Sequence, residues 1–144
     1  MKNKGWLVTF ILAAVIATFL AISIKSALTP RDLSKEDPRQ VFEGFVCSPP
    51  PPSLHQVRAK GIIAFAGGNA IIEFQFDPRD HDDIIKVGKF QLAGDKAFLW
   101  VKKLQPEGVI GGVVSYVRVN EGMTQTALFV AEDRRRAWFR EIQY

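Results

Sequence analysis

Hydrophobic and polar positions fall along this chain in three successive regimes: one long apolar block, a short polar stretch, then an alternation with period two. From Trp6 to Ile24 the sequence reads WLVTFILAAVIATFLAISI, with no charge, proline or glycine, and Lys4 and Lys25 bracket it. A helix rises about 1.5 Å per residue, so such a block crosses the hydrocarbon of a bilayer while bonding its own backbone. The pattern predicts a transmembrane helix over 6–24 behind a short tail, 1–5.

A cleaved signal peptide is the competing reading. Met1-Lys-Asn-Lys4 is a basic leader, and Ala21-Ile-Ser23 offers small residues to a peptidase, but the apolar run is longer than a leader needs. No lipobox of small residues precedes Cys47, which argues against lipid attachment there. Lys2 and Lys4 favour a cytoplasmic tail and an extracytoplasmic domain, with Lys25, Arg31, Lys35 and Arg39 pulling the other way.

Residues 25–40, KSALTPRDLSKEDPRQ, are polar, of mixed charge and twice interrupted by proline, which predicts a solvated linker. Ser34-Lys-Glu-Asp37 has the form of a capped turn that Pro38 cuts short. The apolar VFEGFV follows, then Cys47-Ser-Pro-Pro-Pro-Pro-Ser53, where fixed φ angles and missing donors predict a polyproline II spacer. Its PxxP match is better explained by that spacer role than by recognition.

From Val57 the period becomes two. Val57, Ala59, Gly61, Ile63 and Phe65 share one face and Arg58 and Lys60 the other, while Ala70, Ile72, Phe74 and Phe76 alternate with Glu73, Gln75 and Asp77. Ala66-Gly-Gly-Asn69 between them supplies turn residues, so the region predicts a β-hairpin. Asp77-Pro78 then reads as an N-cap with proline at the first helical position; Asp80, Asp82 and Asp83 suit the helix dipole, Ile84, Ile85 and Val87 pack down, and Gly88 ends the helix. Strands are predicted at Ala97–Val101, at Val113–Val119 with Val113, Val117 and Val119 on one side, and at Thr124–Ala131 and Ala137–Ile142 around a Glu132–Arg135 turn. The order predicts an α+β domain over 41–144, one helix on an antiparallel sheet. No internal repeat is visible.

Pro52-Ser-Leu-His-Gln-Val57, the Gly61 strand, and Ile72-Glu-Phe-Gln-Phe-Asp-Pro78 with Asp80 and Ile84-Ile85 together resemble small membrane-anchored or lipoprotein-type bacterial proteins of uncharacterised function. The resemblance implies a strand, a strand and a capped helix, and no activity.

Composition narrows the picture. Of 144 residues 47% are hydrophobic, with 11 Phe and 3 Trp, so one real core is within reach without disulfides. Cys47 is the single cysteine, which excludes an intrachain disulfide and a cysteine-based zinc site. A net charge of +4, spread among 15 acidic residues, gives a mildly basic surface with no block suited to nucleic acid.

Candidate chemistry is sparse. Asp77, Asp80, His81, Asp82 and Asp83 are the densest metal-capable group, with Asp77 and His81 four apart on one helix face; an acid-rich helix start explains them equally well. Arg134, Arg135 and Arg136, with Lys102 and Lys103, are candidate anion-binding residues, against a simply solvated turn. Cys47 reads as an inert half-buried thiol, His55 as a surface residue, Trp100, Trp138 and Phe139 as core or groove aromatics, and Gly67-Gly68 and Gly111-Gly112 as turns. No catalytic constellation, resident metal or cofactor motif can be singled out. The expectation is therefore a membrane-anchored, non-enzymatic binding or accessory domain at the cell envelope, meeting another envelope protein through a sheet edge or an aromatic patch. The alternatives are a reader of anionic lipid or polymer, and a metal-dependent enzyme at Asp77–Asp83.

Overall fold

The computed structural model describes residues 4–109, 112–118 and 124–144. It divides into two units, Met1–Pro30 and Arg31–Tyr144. The first is helix α1, Lys4–Leu28, whose Val8–Lys25 window is long and apolar enough to cross a membrane and buries nothing against the protein. Inside the apolar block the Thr18 hydroxyl is satisfied one turn back, donating to the Ala14 carbonyl at 2.8 Å, and Thr29 just past the helix donates to the Lys25 carbonyl at 2.7 Å. Pro30, which cannot continue the helix, follows the last turn.

The second unit begins earlier than the sequence suggests. Arg31–Asp32 form a short strand, β1, and Leu33 in the 3₁₀ turn behind it is fully buried. Helix α2, Pro38–Phe45, opens where Asp37 accepts hydrogen bonds from the Arg39 and Gln40 amides. Pro38 thus starts a helix at the position where its missing N–H costs nothing. The predicted linker over 25–40 is corrected: only 29–30 separate α1 from folded structure. The proline run is corrected as well, since Leu54 donates to the Pro51 carbonyl in a turn, and Cys47, Pro51 and Leu54 are buried.

The fold is α+β. Strands β2 (His55–Ala64), β3 (Gly67–Gln75), β4 (Gln91–Leu92), β5 (Val113–Arg118), β6 (Thr124–Ala131) and β7 (Arg136–Gln143) join β1 in one antiparallel sheet of order β1-β2-β3-β7-β6-β5-β4. Both outermost strands are only two residues long, a common guard against edge-to-edge pairing.

The predicted alternation decides the core. Ala70, Ile72, Phe74 and Phe76 point to one face, where Ala137 and Phe139 of β7 and Leu128 and Val130 of β6 join them. Val41 and Phe42 of α2 and Ile84 of helix α3, His81–Val87, cover that face; Phe42 meets Phe74 edge-on with ring centroids 4.8 Å apart. Asp77 accepts from the Arg79 amide and opens a 3₁₀ turn, Pro78–Asp80, that runs into α3 as predicted. Ile84 is buried and Ile85 half-buried, whereas Val87 is largely exposed.

Three details differ. Ala97–Val101 is not a strand but lies in helix α4, Asp95–Leu104, whose Val101 and Leu104 pack on Val117, Ala127 and Phe129 across the second sheet face. A five-residue apolar run has no length to separate the two periods, and the decisive partner, Leu104, lies outside it. The hairpin turn is Phe65–Ala66, two residues before the predicted one, because Gly67 and Gly68 already pair in β3. Phe65, placed by alternation on the core face, overshoots the core and is exposed. Val119 and Gly111 lie outside the described residues.

The Asp77 cap has a pH signature. Backbone and side-chain hydrogen bonds from Arg79 hold its carboxyl below the ordinary value of 3.8, so its contribution is present above that value and disappears as acid protonates it. Asp77→Ala should lower the urea midpoint at pH 7 by less than a core truncation does. The difference from wild type should close below pH 3.8. A difference that persisted in acid would mean the cap acts through something other than its charge.

Candidate functional site

Three of the four acids in the cluster, Asp77, Asp80 and Asp82, bond to neighbouring groups. Asp77 also takes the Arg79 guanidinium at 3.2 Å. Asp80 accepts from the Ser53 hydroxyl and amide, and that hydroxyl accepts from the Asp77 amide at 2.8 Å, which staples the proline segment to the start of the helix. His81 is buried at 6% exposure, donates from Nδ1 to Asp82 at 2.7 Å and lies 3.2 Å through Nε2 from the Tyr116 hydroxyl. Asp77 and His81 therefore do not converge on a shared ligand point, and among the described residues no three His, Cys, Asp or Glu side chains do.

The other candidates also find places. The His55 ring lies 2.7 Å from the Ser53 carbonyl and is exposed. Cys47 is buried and unpaired, and burial pushes its thiol up to about 11, which leaves little thiolate at neutral pH. Phe139 is wholly core, and alternation sends its neighbour Trp138 to the opposite face.

The five basic candidates do not form one site. Arg134, at φ +53, and Arg135 sit in the tight β6–β7 turn, fixed by hydrogen bonds to Ala131 and Asp133. The Arg136 guanidinium stacks over Trp138 at 5.9 Å and lies 3.9 Å from Glu73. Lys102 lines a separate hollow of about 380 Å³ between α4 and β5, with Leu92 and Val114.

What remains open is half of the second face. Helix α4 packs on β5 and β6 there, whereas Arg58, Lys60 and Ile62 of β2 are exposed and Ile71 and Glu73 of β3 only half-buried. Where cover stops, a groove of about 240 Å³ runs between Arg58 and Lys60 on one side and Pro106 and Glu107 on the other, over Ile71 and Trp138. Its far wall is a turn in which Gln105 donates to the Val109 carbonyl at 2.6 Å and Gly108 takes φ +85. Arg140 donates to the Leu104 carbonyl at 3.3 Å, tying the last turn of α4 to β7.

No protein-family model matches this chain, and no curated protein or solved structure does. The groove is therefore read from its own chemistry. Its lining combines the Trp138 ring, aliphatic Ala59 and Ile71, and charges of both signs from Arg58, Lys60, Glu73 and Glu107.

Of its lining, the sequence singled out Trp138 alone. The signal it carries elsewhere is a breach of alternation: Ile62 and Ile71 are apolar at positions assigned to the polar face, and Ile62 is 55% exposed.

Polar side chains are also drawn into the first-face core. Arg118 on β5 donates to the carbonyls of Phe45, Val46 and Gly88 at 2.9, 2.6 and 2.8 Å, and its guanidinium stacks over Phe90 at 4.5 Å. Burial pushes its pKa down and Glu141 opposes that. Glu141, itself buried, accepts from Thr126 at 3.2 Å and Gln143 at 2.7 Å.

Proposed function

We propose that this protein is a single-pass, membrane-anchored, non-enzymatic binding module that holds another polypeptide of the cell envelope, with its folded unit outside the cytoplasm. The observation that carries the reading is the half-covered second face, where Trp138, Ile71 and Lys60 line a groove at the margin of α4. Two-residue strands blunt the sheet edges, which turns the expected mode of contact from an edge to this face. Arg58 opposite Glu73, with Glu107 across the groove, suits a partner segment of mixed charge better than a polyanion.

The anionic-reader alternative would draw on Arg134, Arg135, Arg136, Lys102 and Lys103. Their division between a sheet-end turn and a helix flank gives it less support. A metal-dependent enzyme at Asp77–Asp83 has less still, because Asp77 and Asp80 serve as cap and staple and Asp82 bonds to His81.

The test uses the full chain in its native membrane. A photo-crosslinking residue in place of Lys60 should capture one partner of discrete mass, and one in place of Arg134 should not. Arg58→Glu should reduce the Lys60 adduct severalfold. Equal labelling from both positions, or none from Lys60, would overturn the reading. Alkaline carbonate should leave the protein in the pellet, since a spanning helix leaves a bilayer only at great cost; a shortened soluble form would indicate cleavage near Ser23 instead.

A further inference from the structure

We infer that the β2–β3 hairpin tip is a second membrane contact, with Phe65 entering the bilayer interface beside α1 and seating the folded unit on the lipid surface. The inference rests on α1 being a membrane span. Phe65 is 83% exposed, more than any other large apolar side chain described. It occupies a two-residue hairpin turn, where Gly, Asn or Asp is the usual choice. A phenylalanine there serves neither the turn nor the core, and its exposure in water is unfavourable.

The register of β1 says where this tip is. Arg31, the first residue of the folded unit, pairs with Ile63, two residues before Phe65. In the chain Arg31 stands three steps after Leu28, the last residue of α1. Three extended steps cover at most about 11 Å. A cross-strand pair adds about 5 Å, and two strand residues about 7 Å. The covalent chain therefore keeps Phe65 within roughly 23 Å of the end of α1 at any orientation of the two units.

A second aromatic lies at this end of the sheet. Gln143 pairs with Gly68, and Tyr144 beyond it is 62% exposed, its hydroxyl donating to Gln125 at 3.1 Å. Aromatic side chains with one apolar and one polar end collect at the headgroup level of bilayers. Of the basic residues nearby, Arg31 is paired with Glu36 and Lys35 with Asp32. The occupant is the apolar part of the interface, and an uncharged bilayer suffices.

The geometry has a corollary for the arginine turn. Gln75 pairs with Arg136 at one end of β3 and Gly68 with Gln143 at the other, which places Arg134–Arg136 about 23 Å along the sheet from the hairpin end. With the tip on the bilayer, that turn is the membrane-distal pole.

The experiment uses the full chain in phosphatidylcholine vesicles with an environment-sensitive fluorophore on Phe65→Cys, and on Asp133→Cys as the distal control. Buried Cys47 should stay unlabelled, which the unsubstituted chain checks. The position 65 probe is expected to shift to the blue, to be quenched severalfold more than the position 133 probe by a lipid-borne nitroxide at shallow depth, and to resist aqueous iodide. Protein that floats with the vesicles while both probes respond alike to iodide would overturn the proposal and leave the α1 reading intact. Protein that fails to float would overturn both. Protection of position 65 in native membranes but not in pure lipid would assign the tip to a protein partner and also overturn it.

Discussion

Phe74→Ala is expected to leave the folded unit largely unfolded or protease-sensitive at physiological temperature, while Gln75→Ala, one residue along, leaves it close to wild type. Phe74 is fully buried at the centre of the first face, against Phe42 at 4.8 Å and Phe76 at 5.7 Å between ring centroids. Truncating such a ring costs roughly 3–5 kcal/mol in lost transfer energy and residual cavity. The total stability of a domain is about 5–15 kcal/mol, so this one change removes a large share of it. Gln75 faces the other way and is half-buried, and substitutions of that kind fall nearer to about 0.5 kcal/mol. Urea titration of both variants in detergent checks the ranking. The reverse order would mean a register slipped by one, because a single step exchanges the faces of a strand.

Arg118→Ala should be the next most damaging change, at roughly 2–4 kcal/mol, because it strands three carbonyls on two different segments at once. Phe45 and Val46 end α2 and Gly88 ends α3, so one guanidinium closes both helix ends over the sheet. Arg118→Lys should recover little of the loss. An ammonium is a single point with no planar fork, and it cannot reach three fixed acceptors in one plane. Matching midpoints for wild type and Arg118→Lys would show that charge alone matters there.

Residues that act locally were legible in the sequence, and residues that act through distant partners were not. Strands β3 and β7, the short apolar run of β6 and the Asp77-Pro78 cap follow from near-neighbour patterns and from one short side-chain bond. Helix α4 hid because its burial comes from Val117, Ala127 and Phe129 on strands that follow it in the chain. Leu33 looked like an isolated apolar residue in a polar stretch until β1 brought it under the sheet. The same limit applies to the site. Trp138 was visible as an aromatic, but Arg58, Lys60 and Ile71 become a groove only because α4 stops short, and no single segment records where a helix stops covering another.

Two-residue strands at the sheet borders acquire a further meaning on the proposal that α1 fixes the protein to a membrane. Copies confined to one plane share a thin layer, where their effective concentration is far higher than the same number would have in free solution. A long bare border strand under that crowding would zip copy to copy through main-chain hydrogen bonds, and the array would grow without limit in two dimensions. With outermost strands of two residues, Arg31–Asp32 against Ile62–Ile63 of β2 and Gln91–Leu92 against Tyr116–Val117 of β5, the chain shortens, without removing, the template for such polymerisation.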